Sequence, residues 1–163
     1  MQNLSLLKKN LSNALLNFEG KGLTVEQRNG KVYVSMENKL LFESGSWKVQ
    51  PEGQKAIKNL SNVLAGNPEI NVLIEGHTDN IPYSGEGIIE SNWDLSTKRA
   101  TEIIQLILKN ELIIAKNITA AGRGEFFPIA PNSDEKGRSA NRRIEVILTP
   151  QLDEISKLLE NIN

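Results

Sequence analysis

The chain has 163 residues, 19 Lys and Arg against 20 Asp and Glu, one histidine and no cysteine. That length suits one domain with appendages; the near-zero charge balance argues against a nucleic-acid surface, which needs a basic excess; and the lack of cysteine removes disulfide frameworks and thiolate metal sites. No stretch reaches the ~18 apolar residues of a membrane span, and no basic flank leads into an apolar run at the N-terminus, so no export signal is read and the sequence is expected to be cytoplasmic or a mature or trimmed fragment, the second being favoured.

Leu4, Leu7, Leu11, Ala14, Leu15 and Phe18 recur at helical spacing. Residues 1–20 are therefore expected to form an amphipathic helix, either docked on the domain or ending a longer spacer. Gly20 and Gly22 stop it. Leu23 to Gln27 and Lys31 to Ser35 alternate around Arg28-Asn29-Gly30, a hairpin signal. Lys39 to Phe42 is expected as a short third strand, and Glu43 to Trp47 as a loop. Pro51 opens a helix whose apolar face is Ala56, Ile57, Leu60, Val63 and Leu64, closed by Gly66-Asn67-Pro68.

The next stretch organises the chain. Ile70, Val72, Leu73 and Ile74 suit a buried strand, which breaks at Gly76 into a polar turn bearing His77, Thr78 and Asp79. A Pro-, Gly- and Ser-rich loop leads to a helix over about residues 91–110. Ser91 and Asp94 resemble a capping box, and Trp93, Thr97, Ala100, Ile104 and Ile107 supply the expected core stripe. Ile118 to Ala121 reads as a strand, residues 122–137 as a long loop, and Arg142 to Leu148 as a last strand stopped by Pro150. Ile155, Leu158 and Leu159 suggest a closing helix or tail over 151–163. Strands separated by two long helices, with a hairpin before them, predict an α+β two-layer sandwich over 23–150, a mixed β-sheet with helices packed on one face. Both long connections have room for a helical crossover.

Asp79 lies just past a strand end and Arg99 two turns into the following helix. Asn92, Ser96 and Arg99 differ by four and three positions and share a face. A carboxylate that receives an ammonium, and a guanidinium that holds a carboxylate bidentately, would suit the backbone end of an amino acid. The spacing equally allows Asp79 and Arg99 to pair with each other, or Asp79 to cap a turn. His77 cannot build a histidine zinc site alone, and Thr78 and Ser84 carry no nucleophile motif, so a structural histidine is expected. No metal, dinucleotide or other cofactor fingerprint is present. Arg142 and Arg143 are adjacent on a strand and point to opposite faces. One is expected to reach the site and the other solvent, or both to be solvated strand-end charges.

Four segments, in order, resemble one family: Gly76-His77-Thr78-Asp79; Asn92-x-x-Leu95-Ser96-x-x-Arg99-Ala100; Gly122-x-Gly124 with Pro128; and Gly137-Arg138-x-x-Asn141-Arg142-Arg143-Ile144-Glu145. With Leu40-Leu41-Phe42-x-x-Gly45-Ser46 they make residues 30–150 similar to the OmpA-like (OmpA/MotB C-terminal) peptidoglycan-binding domain. The resemblance implies a βαβαβ core and a non-catalytic module that grips the diaminopimelate of the peptidoglycan stem peptide. It maps the family's acid and helix arginine onto Asp79 and Arg99, and ligand-lining or supporting positions onto Thr78, Asn92, Leu95 and Arg142. Backbone amides near Leu95 would help to hold a carboxylate. It implies a periplasmic protein attached to the outer membrane, with peptidoglycan as partner and a membrane tether upstream, as in an envelope lipoprotein; a homodimer is left open. Asn92-Trp93-Asp94-Leu95-Ser96 and the long loop before it resemble the MotB-like branch, which makes a flagellar stator fragment the alternative. A wall hydrolase using His77 and Asp79 is a third.

Overall fold

The computed structural model describes residues 2–85, 87–151, 156 and 159–162. Its five strands form one sheet in the order β1-β2-β5-β3-β4. Strands β1 (Leu23–Arg28) and β2 (Lys31–Glu37) are a hairpin. Asn29 and Gly30 take φ values of 53° and 74°, a turn whose left-handed residues match the twist of the strands. Strands β3 (Ile70–His77) and β4 (Ile118–Gly122) run parallel, while β5 (Arg143–Pro150) is antiparallel to both β2 and β3. The sheet is therefore mixed.

Helix α3 (Pro51–Ala65) carries the chain from β2 past the slot of β5 to β3, and α4 (Asn92–Ile107) makes the β3–β4 crossover. Val34, Met36, Ile74, Ile144, Val146 and Leu148 of the sheet bury against Ile57, Leu60, Ile103 and Ile107 of these helices. Helix α1 (Gln2–Ala14), shorter than the expected 1–20, belongs to the same core: its Leu4, Leu7 and Leu11 are buried there, together with Leu15 and Phe18 of the turn that follows. Burial of each such side chain stabilises the fold by ~1.5–3 kcal/mol. Asn59 Nδ2 also donates to the Ala14 carbonyl at 3.1 Å.

Three expectations change. Residues 39–42 are not a strand: Asn38–Leu41 is one helical turn, α2, and only Phe42 makes a β-bridge, to Val49. Leu40, Leu41 and Phe42 are all buried, which three successive residues of a strand facing one core cannot achieve. The loop over 122–137 ends in a further helix, α5 (Glu135–Asn141), capped by Asp134, whose Oδ1 accepts from Gly137 N at 2.7 Å. Seven mostly polar residues show no periodicity to read. The core stripe of α4 is rotated. Leu95, Ser96, Arg99, Ala100, Ile103 and Ile107 face inward, while Trp93 is 52% exposed. The cause lies in β3: a Cβ at Gly76 would stand 2.0 Å from the Ser96 carbonyl, so the helix settles with its Ser96 face directly on that glycine. Most of the expected closing helix, including Ile155 and Leu158, lies outside the described residues. Among the described residues no helix is long and apolar enough to cross a membrane.

Candidate functional site

Four elements converge at the C-terminal end of β3: the Thr78–Asp79 turn, the first turns of α4, the α2–α3 segment, and the α5–β5 junction. Between them lies an open cleft of about 870 Å3, and Thr78, Asp79, Asn92, Leu95, Arg99 and Arg142 all line it.

Local chemistry fixes each wall. Asn92 Nδ2 donates to the Ile81 carbonyl at 3.0 Å and more weakly to that of Asp79 at 3.4 Å, which ties the helix start to the turn. Thr78 Oγ1 donates to the Asp79 carbonyl at 2.8 Å, and its amide donates to the Gly124 carbonyl at 2.9 Å. Ser91 caps α4 by accepting from Asp94 N at 3.4 Å. The box is not reciprocal, because the Asp94 carboxylate accepts from Glu90 N instead. The Leu95 amide itself donates to the Ser91 carbonyl at 3.0 Å. Ser96 is fully buried beneath the cleft, its Oγ donating to the Trp93 carbonyl and accepting from Gly124 N.

Asp79 and Arg99 do not pair. Asp79 Oδ1 accepts from Ile81 N at 3.0 Å, the turn-capping role, while Oδ2 accepts from Arg142 at 2.7 Å. The other end of Arg142 grips Glu135. Burial works against the Arg142 charge, but the hydrogen bonds to Asp79 and Glu135 outweigh it and raise its pKa. Glu135 is held below the ordinary carboxylate value by its hydrogen bond to Arg142.

Arg99 stands apart. It is 6% exposed and donates through Nε to the Ser46 carbonyl at 3.0 Å, with its guanidinium 5.3 Å from the Phe42 ring. Among the described residues no carboxylate forms an ion pair with it. Burial, and then repulsion from Arg142, push its pKa down to about 10, against the opposing pull of Asp79 and Tyr83.

The second arginine of the pair does not reach solvent. Arg143 is 1% exposed, bound to Glu145 Oε1 at 2.8 Å and to the Asn141 and Phe127 carbonyls. The 123–131 loop folds over that face of the sheet, which the strand alternation alone does not reveal. His77 sits on this same face, buried, with Nε2 3.3 Å from Glu75 Oε1. It contacts Glu75 rather than Asp79, so the two groups a hydrolase would need are not joined. Glu75 is held below its usual pKa, first by that hydrogen bond and, against burial, by Arg123.

Sequence reasoning missed Glu135, Tyr83 and Phe42 as lining residues, and the Ser46 carbonyl as the anchor of Arg99. Asp134-Glu135 three residues before Arg138 carried a capping signal for α5; Tyr83 gave none.

The profile of the OmpA family matches residues 41–142. The chain is 38% identical over 118 residues to motility protein B of Bacillus subtilis, covering 72% of this chain and 45% of that relative. It is 36% identical over 118 residues to outer membrane porin F of Pseudomonas fluorescens, covering 72% and 34%. It thus spans less than half the length of these two relatives. The solved structure of the cell wall anchor of the T6SS from Pseudomonas aeruginosa superposes with a TM-score of 0.77 at 30% identity, over 86% of this chain and 97% of that one.

Proposed function

This chain belongs to the OmpA family, and from that membership we propose that it is a non-catalytic module binding peptidoglycan, with the diaminopimelate of the stem peptide in the cleft. The observation that carries the reading is Arg99: a buried guanidinium facing an open cleft, without an acidic partner among the described residues, 20 positions on from a carboxylate that lines the same cleft. A buried cation without a counter-ion is costly. A ligand carboxylate relieves that cost, and its ammonium meets the Asp79 side. Thr78, Asn92 and Leu95 shape the walls, and Arg142 holds Asp79 in place. The likeness to a T6SS cell wall anchor supports a role in anchoring an envelope protein to the wall, in the periplasm. Attachment to the outer membrane through an upstream tether is part of the same proposal.

Binding to purified diaminopimelate-type sacculi tests it. Wild-type protein sediments with sacculi; Asp79→Ala and Arg99→Ala remain soluble and folded. Retention of both variants on the sacculi refutes the site. The identity to motility protein B favours a second reading, the periplasmic part of a stator protein. The gene upstream separates the two: a membrane helix bearing an acid supports the stator, a lipidation cysteine the lipoprotein.

A further inference from the structure

Trp93 and Phe126 are two large aromatic rings that stay outside the core, with more than half of their surface exposed. The core stripe of α4 lies on other residues, and its cap is Ser91. Yet the rings are ordered against each other, stacked with centroids 5.2 Å apart and planes 28° apart, while 52% and 64% exposed. Both lie over the backbone of Gly124, where a Cβ would stand 3.3 Å from the indole and 3.5 Å from the Phe126 ring. That same residue accepts a hydrogen bond through its carbonyl from Thr78, which lines the cleft. The ring pair is therefore an apolar shelf one hydrogen bond away from the cleft wall.

We propose that Trp93 and Phe126 form a sugar-stacking shelf, on which a pyranose of the glycan strand rests while its stem peptide occupies the cleft. The proposal rests on the reading of the cleft given above. Its chemistry is that of an amphipathic ring. The C–H face of a pyranose meets the electron-rich face of an aromatic ring, and its hydroxyl edge needs polar partners around the shelf. Arg123 and Glu125 flank Gly124 in the chain; the Arg123 side chain binds Glu75 at 3.2 Å yet remains 51% exposed. Because the rings stack on each other, the pair offers one outer ring face and an edge, far below the ~1,200 Å2 of a stable protein–protein interface. Flanking charges of both signs also do not suit an anionic lipid surface, which calls for basic residues. A stem peptide is carried on a sugar, so filling the cleft brings a pyranose to its edge.

The test compares two ligands by calorimetry: the diaminopimelate-containing stem peptide alone, and the same peptide on its N-acetylglucosaminyl-N-acetylmuramyl disaccharide. Wild-type protein is expected to bind the disaccharide form about fivefold more tightly. The Trp93→Ala/Phe126→Ala double variant is expected to lose that gain and to bind the bare peptide unchanged, and Trp93→Tyr to keep most of it. Both rings are exposed, so circular dichroism and urea unfolding of the variants should match wild type. Equal affinity of wild type for the two ligands overturns the shelf, as does an equal loss of both ligands in the double variant. If the bare peptide fails to bind while the disaccharide form binds through the rings, the shelf stands and the reading of the cleft falls. If neither ligand binds, both fall.

Discussion

Replacing Arg99 by methionine separates a residue kept for a ligand from one kept for the fold. Methionine retains the length and apolar stem of arginine but carries no charge. Burial, chiefly, pushes the guanidinium pKa well below its ordinary value, to about 10. At about 1.4 kcal/mol per unit, the charged form is disfavoured by roughly 3 kcal/mol. The substitution also removes the hydrogen bond to the Ser46 carbonyl, worth ~1 kcal/mol. Arg99→Met is therefore expected to be more stable than wild type by about 1–2 kcal/mol in urea unfolding at pH 7. Binding should fall by about 100-fold or more, because the ligand carboxylate is left without its partner. The pH dependence has a defined sign. Near neutrality the guanidinium is charged whether folded or unfolded, so the whole penalty is present. As pH rises through about 10 the folded protein releases its proton before the unfolded chain does, and stability recovers. The gap between variant and wild type should thus stay constant near neutral pH and narrow above pH 10. A variant that is less stable by ~2 kcal/mol or more makes Arg99 a structural cation and refutes the reasoning; so does undiminished binding.

Other substitutions probe the frame of the cleft. Asn141 is fully buried and makes four hydrogen bonds, accepting from Ile129 N and Ala130 N and donating to the Ala130 carbonyl and Asn132 Oδ1. Asn141→Ala should cost ~3 kcal/mol in urea unfolding and loosen the 127–132 loop to hydrogen exchange. Gly76→Ala places a methyl 2.0 Å from the Ser96 carbonyl and should cost ~3 kcal/mol or more by forcing α4 off the sheet; a fully stable variant would contradict the close approach. Glu75 has a folded pKa below 4.5, so its contribution is complete above that value and is lost as pH falls through the lower folded one. Glu75→Gln should flatten this part of the acid limb in pH-dependent melting.

The sequence disclosed what is local. The Thr78–Asp79 turn at a strand end and the Asn92–Arg99 face at a helix start are each set by a few consecutive residues, and their meeting follows from one crossover. The partner of Asp79 was not legible. Arg142 reaches it only because α5 forms at 135–141, held by the Asp134 cap and by Gly137, where a Cβ would lie 1.7 Å from the Pro131 carbonyl. Those are long-range fits of seven residues too few and too polar to show a period. Arg143 illustrates the same limit from the other side: strand alternation gives its face, but only the 123–131 loop decides that this face is dry. Trp93 misled because large apolar residues at helical spacing are normally core, whereas α4 is aligned by the contact of Ser96 with Gly76.

The charges around the cleft narrow the class of ligand further. Among the described lining residues Lys39, Arg99 and Arg142 are matched in number by Glu43, Asp79 and Glu135, so the cleft offers a simple anion little net charge to draw it from a distance. A sulfate or acetate bound at Arg99 would satisfy that guanidinium but leave the cleft net negative, beside Asp79 and Glu135. A zwitterion would change nothing in the balance: its carboxylate would meet Arg99, and its ammonium would share the acids that Arg142 neutralises. In the proposed reading the two arginines have opposite tasks: Arg142, bound to two acids, keeps the receptor for an ammonium in shape, and Arg99, without an acid partner among the described residues, receives a carboxylate. Free diaminopimelate should accordingly compete with the stem peptide, whereas acetate and simple amines at equal concentration should not. Competition by acetate alone, measured by displacement from sacculi, would show that Arg99 acts without Asp79 and would break the two-point reading.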